Sequence, residues 1–144
     1  MLNEEVRKIM TKDPLVAHPF DLVKDVSKMM AEQKVQQLPV VDEEHKLVGM
    51  ITSYDLWKNL RDDKETESQK VEEIMNTTVI HIEPKDKVGT AAELFIDRRF
   101  KTLPVINLES KLKGVITAFD VIKHVMQREY PHAILYKDVL EGDG

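Results

Sequence analysis

Two copies of one heptapeptide carry the residue types best suited to chemistry. Gly49-Met50-Ile51-Thr52-Ser53-Tyr54-Asp55 is matched by Gly114-Val115-Ile116-Thr117-Ala118-Phe119-Asp120. A threonine followed three residues later by an acid supports two readings. In the first, the threonine caps a helix N-terminus and the acid reaches back to the cap, although Asp is shorter than the Glu or Gln that usually closes such a box. In the second, the helix end offers unpaired N–H groups and partial positive charge to a phosphate, to which the threonine hydroxyl adds a donor. An aspartate one turn in then accepts both hydroxyls of a ribose. Each charge-assisted hydrogen bond of that kind is worth roughly 1.5–3 kcal/mol when shielded from water. Phosphate on threonine and ribose on aspartate together describe a nucleotide, and an intact duplicate suggests two sites related by a pseudo-two-fold axis.

The elements that position these residues repeat as well, at a constant offset of 65 residues without insertion or deletion. Between positions 6–60 and 71–125 there are 17 identities in 55 aligned pairs, among them Val6-Ile9-Met10 with Val71-Ile74-Met75, Pro19-Asp21 with Pro84-Asp86, and Leu38-Pro39-Val40 with Leu103-Pro104-Val105. Repetition on this scale means that each unit is a supersecondary piece that buries its apolar face against its neighbour. In each unit a short apolar stub precedes a β-leaning segment, Leu15-Val16 or Thr78-Val79-Ile80. A proline turn follows, and Asp21 or Asp86 places an acid at the N-terminus of the next helix. Val23, Val26, Met29 and Met30, answered by Val88, Ala91, Leu94 and Phe95, fall at helical spacing and predict a core face.

Two short strands come next, Leu38 to Val41 and Leu47 to Thr52 in the first unit, joined by a polar loop. Pro39 and Pro104 cannot donate to a ladder and belong at a strand start or on an edge. A second helix runs from Ser53 to about Arg61, and from Ala118 to about Gln127. The expected fold is α/β (α+β), two β-α-β-β-α units packed with pseudo-two-fold symmetry into one module. The expected boundaries are 1–62 for the first unit, 63–70 for a charged linker, 71–128 for the second unit and 129–144 for a tail. Within that tail, Tyr130 to Tyr136 is apolar enough to dock, and the last four residues are expected to fray.

Composition narrows the function. A chain of 144 residues with formal charge −5 and pI about 5.6 lacks the basic footprint of a nucleic-acid binder. There is no cysteine, so no disulfide or thiolate metal site, and no apolar run approaches the ~20 residues of a membrane span. The opening residues lack the apolar core of a signal peptide, and a cytoplasmic protein is the expectation. The histidines at 18, 45, 81, 124 and 132 have no metal-ligand spacing and read as ordinary surface or packing residues. Trp57, whose repeat partner is Ile122, reads as packed in a helix interface, either within the chain or between subunits.

The order of stub, strand, helix, Leu-Pro-Val and Gly-x-Ile-Thr-x-x-Asp, given twice over residues 6 to about 127, resembles a tandem pair of CBS domains, the family named for cystathionine β-synthase. That resemblance implies a regulatory module rather than an enzyme, requiring no cofactor and no metal. It binds AMP, ADP, ATP or S-adenosylmethionine in clefts between units, forms a homodimer and signals to a partner protein in trans. It also implies ligand-binding positions: Thr52, Asp55, Thr117 and Asp120; an adenine slot along Asp13 to Leu15 and Thr77 to Val79; apolar walls from Val40 and Val105; and a phosphate contact from Lys101, where the first unit has Gln36. Arg98 and Arg99 either add charge near that site or form a solvated helix end. A ligand-free dimerisation or protein-docking scaffold is the alternative.

Overall fold

The computed structural model describes residues 2–61, 68–98 and 100–129. Residues 63–67 of the expected linker, 130–144 of the expected tail (Tyr130 to Tyr136 included) and Arg99 lie outside the described residues. The first unit contains helix α1 (Val23–Gln33), strands β1 (Gln37–Val41) and β2 (Leu47–Thr52), and helix α2 (Ser53–Arg61). The second contains α3 (Val88–Arg98), β3 (Thr102–Ile106), β4 (Leu112–Thr117) and α4 (Ala118–Glu129). Single 3₁₀ turns, Val6–Lys8 and Val71–Glu73, mark the two stubs.

Each unit is built on an antiparallel hairpin in which Leu38 faces Ile51 and Leu103 faces Ile116. The connecting loop is closed by one side chain: Asp42 Oδ1 accepts the amides of Glu44 and Lys46, as Asn107 Oδ1 accepts those of Glu109 and Lys111. Helix α1 ends with Lys34 in the left-handed region (φ 56°), with Lys34 N–H donating to Ala31 and Val35 N–H to Met30. This pair of bonds satisfies carbonyls that the helix leaves open.

The strand expected at Leu15-Val16 and at Thr78-Val79-Ile80 does not form. Each is replaced by a one-residue parallel bridge further along, Ala17 to Val40 and Ile82 to Val105. Ala17 N–H donates to Pro39 C=O and Val41 N–H donates to Ala17 C=O. The next bond back would need an N–H on residue 39, which proline lacks, so the ladder stops at Ala17. Pro104 ends the ladder at Ile82 in the same way. These prolines sit in mid-strand, but their missing N–H faces the side left unpaired. Asp21 and Asp86 also serve a different purpose from the one expected. They stand two residues before the helices and close the preceding turn, accepting the amides of His18 (2.8 Å) and Glu83 (2.7 Å).

The cores are shared by exchange. Val6 packs with Val88, Ala91, Leu103, Val105 and Ile116 of the second unit, together with Ile9 and Met10. Val71, with Ile74 and Met75, packs with Val23, Val26, Leu38, Val40 and Ile51 of the first. Backbone hydrogen bonds repeat the exchange, Val6 to Asp86 and Val71 to Asp21. The predicted helix faces do enter these cores: Val23, Val26, Met30, Val88, Ala91 and Phe95 are buried, with Met29 and Leu94 partly so. A third cluster, Val41, Ile106 and Leu112, lies between the two units. There Leu47 N–H donates to Ser110 and Leu112 N–H to His45, and Lys46 bridges its own repeat partner Lys111. A residue meets its own repeat partner only on the pseudo-two-fold axis.

Candidate functional site

Both Thr–Asp motifs form the reciprocal cap. Thr52 N–H donates to Asp55 Oδ2 at 3.0 Å and Asp55 N–H to Thr52 Oγ1 at 3.1 Å; for Thr117 and Asp120 both distances are 2.9 Å. Each box therefore satisfies two orphan amides at the start of α2 or α4. Every one of these carboxylate contacts falls on Oδ2, and among the described residues Oδ1 of either aspartate has no hydrogen bond.

The exchanged stubs bring a residue of the opposite unit to each aspartate. Thr11 Oγ1 lies 3.4 Å from Asp120 Oδ2, and its repeat partner Asn76 donates through Nδ2 to Asp55 Oδ2 at 3.1 Å. The glycine of the motif makes this approach possible. A Cβ on Gly114 would stand 2.5 Å from the Thr11 carbonyl oxygen, and one on Gly49 would stand 2.9 Å from that of Asn76. Each stub then pairs with the strand it crosses, Thr11 with Val115 and Asn76 with Met50.

A cleft of about 520 Å³ opens beside the second motif, bounded by Thr11, Asp13 to Leu15, Gln36 to Pro39, Lys101 and Thr117. Its size falls within the ~300–1,000 Å³ usual for small-molecule sites. Asp13 holds φ 51°, a left-handed conformation that Asp tolerates better than most residues. Lys101 Nζ donates to Gln36 Oε1 at 3.1 Å, so the two repeat-related positions meet at the axis. Thr77 and Val79 line a smaller cavity of about 180 Å³ with Gly49 and His81. Asp120 faces a third, polar cavity of about 470 Å³ with Glu4, Lys8, Lys123, His124 and Arg128, and Thr11 separates it from the large cleft.

The structure thus gathers Thr117, Asp13, Leu15 and Lys101 at one cleft, with Asp120 just past Thr11. Val40 and Val105 are not walls of a site, because both are 0 % exposed and belong to the two cores. Arg98 is exposed at the end of α3. Sequence reasoning passed over Glu4, Lys8, Lys123, His124 and Arg128. The signal available was the offset itself: Glu4 and His124 occupy the positions of Gln69 and Asn59, two polar pairs in register across the repeat. Among the described residues no group of His, Asp and Glu is arranged to hold a metal ion, and no helix is long and apolar enough to cross a membrane.

Comparison with known proteins agrees with this fold. The CBS domain model matches residues 6–56 and again 71–127. The chain is 35 % identical over 133 residues to the uncharacterised protein MJ1225 of Methanocaldococcus jannaschii, covering 85 % of this chain and 47 % of that one. It is 34 % identical over 137 residues to inosine-5'-monophosphate dehydrogenase of Aquifex aeolicus, covering 90 % of this chain but 27 % of the enzyme. The chain therefore spans less than half the length of these two relatives. Among solved structures, CBSX2 in complex with AMP superposes with TM-score 0.78 at 27 % identity, covering 87 % of this chain and 98 % of that one. The CBS domain pair of MJ0100 in complex with 5'-methylthioadenosine and S-adenosyl-L-methionine superposes with TM-score 0.76 at 28 % identity, covering 88 % and 98 %. With both units matched by the family model and solved CBS pairs aligned over nearly their whole length, this chain belongs to the CBS domain family as a tandem pair.

Proposed function

We propose that the chain is a regulatory module, not an enzyme, that binds an adenosine-containing ligand (AMP, ADP, ATP or S-adenosylmethionine) and passes its occupancy to a partner protein. The observation that carries this reading is the 520 Å³ cleft between units, with Thr117 and Lys101 on its wall and Asp120 beyond Thr11. The ligands named in the two neighbour complexes support it. In this reading the adenine lies along Asp13 to Leu15, the ribose is held by Asp120, and the first phosphate meets Thr117 and Lys101. Thr52 and Asp55, with Thr77 and Val79, form the corresponding first-motif site. A ligand regulates only by binding one arrangement of the units more tightly than another, and a site built from both units meets that condition.

The module pairs with a second copy through α2 and α4. Tyr54, Trp57 and Leu60 on one helix and Phe119, Ile122 and Met126 on the other are large apolar residues left at least half exposed. Trp57 stacks near Tyr54 with centroids 6.0 Å apart and is covered in part by Arg61, but does not enter the interior. Two apolar faces related by pseudo-symmetry suit a self-complementary contact.

The test is a thermal-shift series with adenine nucleotides, guanine nucleotides and S-adenosylmethionine on wild type, Asp55→Ala and Asp120→Ala. Stabilisation by an adenosyl ligand, lost in Asp120→Ala, is the expected result; at a hundred times the dissociation constant it amounts to about 2.7 kcal/mol. Absence of any shift, with both variants less stable unliganded, would leave the aspartates as caps and the protein as a docking scaffold.

A further inference from the structure

The two repeats treat one pair of positions differently. In the first unit Asn59 is buried and bonded both ways to Gln69, at 2.7 and 3.1 Å. In the second the corresponding residues are His124 and Glu4. His124 is 9 % exposed, and its Nε2 has no hydrogen-bond partner among the described residues. Glu4 Oε2 stands 3.6 Å away, too far for a hydrogen bond, and Glu4 is hydrogen-bonded instead to Arg128. A buried polar atom without a partner is costly and needs an occupant. Here it borders the 470 Å³ cavity that also holds Lys8, Lys123 and Asp120.

Charge is also divided unequally. Lys8 and Arg128 correspond to Glu73 and Asp63 in the other repeat, while Lys123 corresponds to Lys58. Arg128 offsets Glu4, and among the described residues the ammonium groups of Lys8 and Lys123 have neither a hydrogen bond nor an ion pair. The cavity therefore presents two uncommitted ammonium groups and an unsatisfied imidazole beside Asp120. In the first unit the repeat position of Lys8 carries the acid Glu73.

We propose that the two motif sites select ligands of different charge. The cleft at Asp120 takes a nucleoside di- or triphosphate, with the phosphates beyond the first passing Thr11 to Lys8, Lys123 and His124. The first-motif site at Asp55, with Glu73 at the repeat position of Lys8, does not take such polyanions. This rests on the adenosine reading above and specifies its ligand. Charged groups recognise phosphate through hydrogen bonds stronger than neutral ones, whereas Glu73 repels it.

Isothermal titration with adenosine, AMP, ADP and ATP at fixed ionic strength decides the matter, on wild type, Lys8→Ala with Lys123→Ala, His124→Asn and Asp120→Ala. Lys8 and Lys123 are exposed, so their removal leaves the fold intact, which a melting curve verifies. Expected are tighter binding of ATP than of AMP to wild type, and a loss of at least tenfold for ATP in the double variant with less than a twofold change for AMP. His124→Asn shows a smaller loss in the same direction. An unchanged ATP-to-AMP ratio in the double variant, with Asp120→Ala abolishing binding of both, would overturn the proposal while leaving the adenosine reading standing. Unchanged binding of all four ligands to Asp120→Ala would overturn the reading beneath it. Inorganic triphosphate is the control: binding as tight as that of ATP and indifferent to Asp120→Ala would make the cavity a phosphate site independent of the cleft, and also overturns the proposal.

Discussion

Replacing Gly114 by alanine sets a methyl group against backbone that has little freedom to move. The new Cβ would lie 2.5 Å from the Thr11 carbonyl oxygen and 3.0 Å from Met10 Sδ. Thr11 is fixed at both ends of that contact, its N–H donating to Val115 C=O at 2.7 Å and its C=O accepting from Val115 N–H at 3.0 Å. Relief requires lifting the stub, at the expense of overpacking strain of about 1–3 kcal/mol and part of two hydrogen bonds worth about 0.5–1.5 kcal/mol each. The reduced entropy of the unfolded chain returns about 0.4–1 kcal/mol, because Gly114 does not use a positive φ. A net loss of about 2 kcal/mol is expected. For a chain of this size that lowers Tm by about 4–8 °C. Gly49→Ala serves as the internal comparison: its closest neighbour is the flexible Met75 Sδ at 2.7 Å, with the Asn76 oxygen further off at 2.9 Å, so it should lose less. Calorimetric melts of the two variants, with hydrogen exchange at Thr11 and Val115, measure both effects. A Gly114→Ala protein melting within 1 °C of wild type, or one more stable than Gly49→Ala, would refute the reasoning.

Lys34→Gly removes a left-handed side chain at the end of α1 and should raise stability by about 0.5–1 kcal/mol, read as a higher denaturant midpoint at unchanged m-value. Val6→Ala and Val71→Ala each empty a fully buried site in the core of the opposite unit, and each should lose about 2 kcal/mol in chemical denaturation despite the distance between them in sequence. Asn59→Ala strips Gln69 of both bonds and should lose about 1–2 kcal/mol, and because Gln69→Ala removes the same two bonds, a double-mutant cycle should show the two losses to be less than additive. Trp57→Glu with Ile122→Glu should shift the protein to monomer in light scattering while leaving its melting temperature at high dilution unchanged.

Much of this architecture is legible in the sequence because a constant offset states equivalence residue by residue. The helix faces of Val23, Val26 and Met30, the hairpin around Pro39, and the caps at Thr52 and Thr117 all follow from local pattern. What repetition does not state is which core a given copy enters. Val6 and Val71 are equivalent whether each packs in its own unit or in the other, and only tertiary geometry decides. The shortened first strands were readable in principle, since a proline at position 39 deletes the N–H that Leu15 would have needed. His124 was missed for a different reason. Judged alone it has no metal-ligand or catalytic spacing; compared with Asn59, and with Glu4 set beside Gln69, it marks a polar pair that has lost its closure.

The crossing of the stubs also fixes an order of events during synthesis. Residues 17–61 cannot complete their core until Val71 to Asn76 has left the ribosome, since Val71 fills it. The segment carrying Val6 emerges before the first unit, yet its partners Val88, Leu103 and Ile116 follow more than 80 residues later. It must wait as an apolar, unpaired piece of chain until those partners emerge, and contacts so distant in sequence slow folding. At that stage it has a competing acceptor in the finished second unit of another copy. Slower elongation through residues 77–129 should therefore raise the yield of stub-exchanged oligomers, whose cores are complete but whose chains are interlocked.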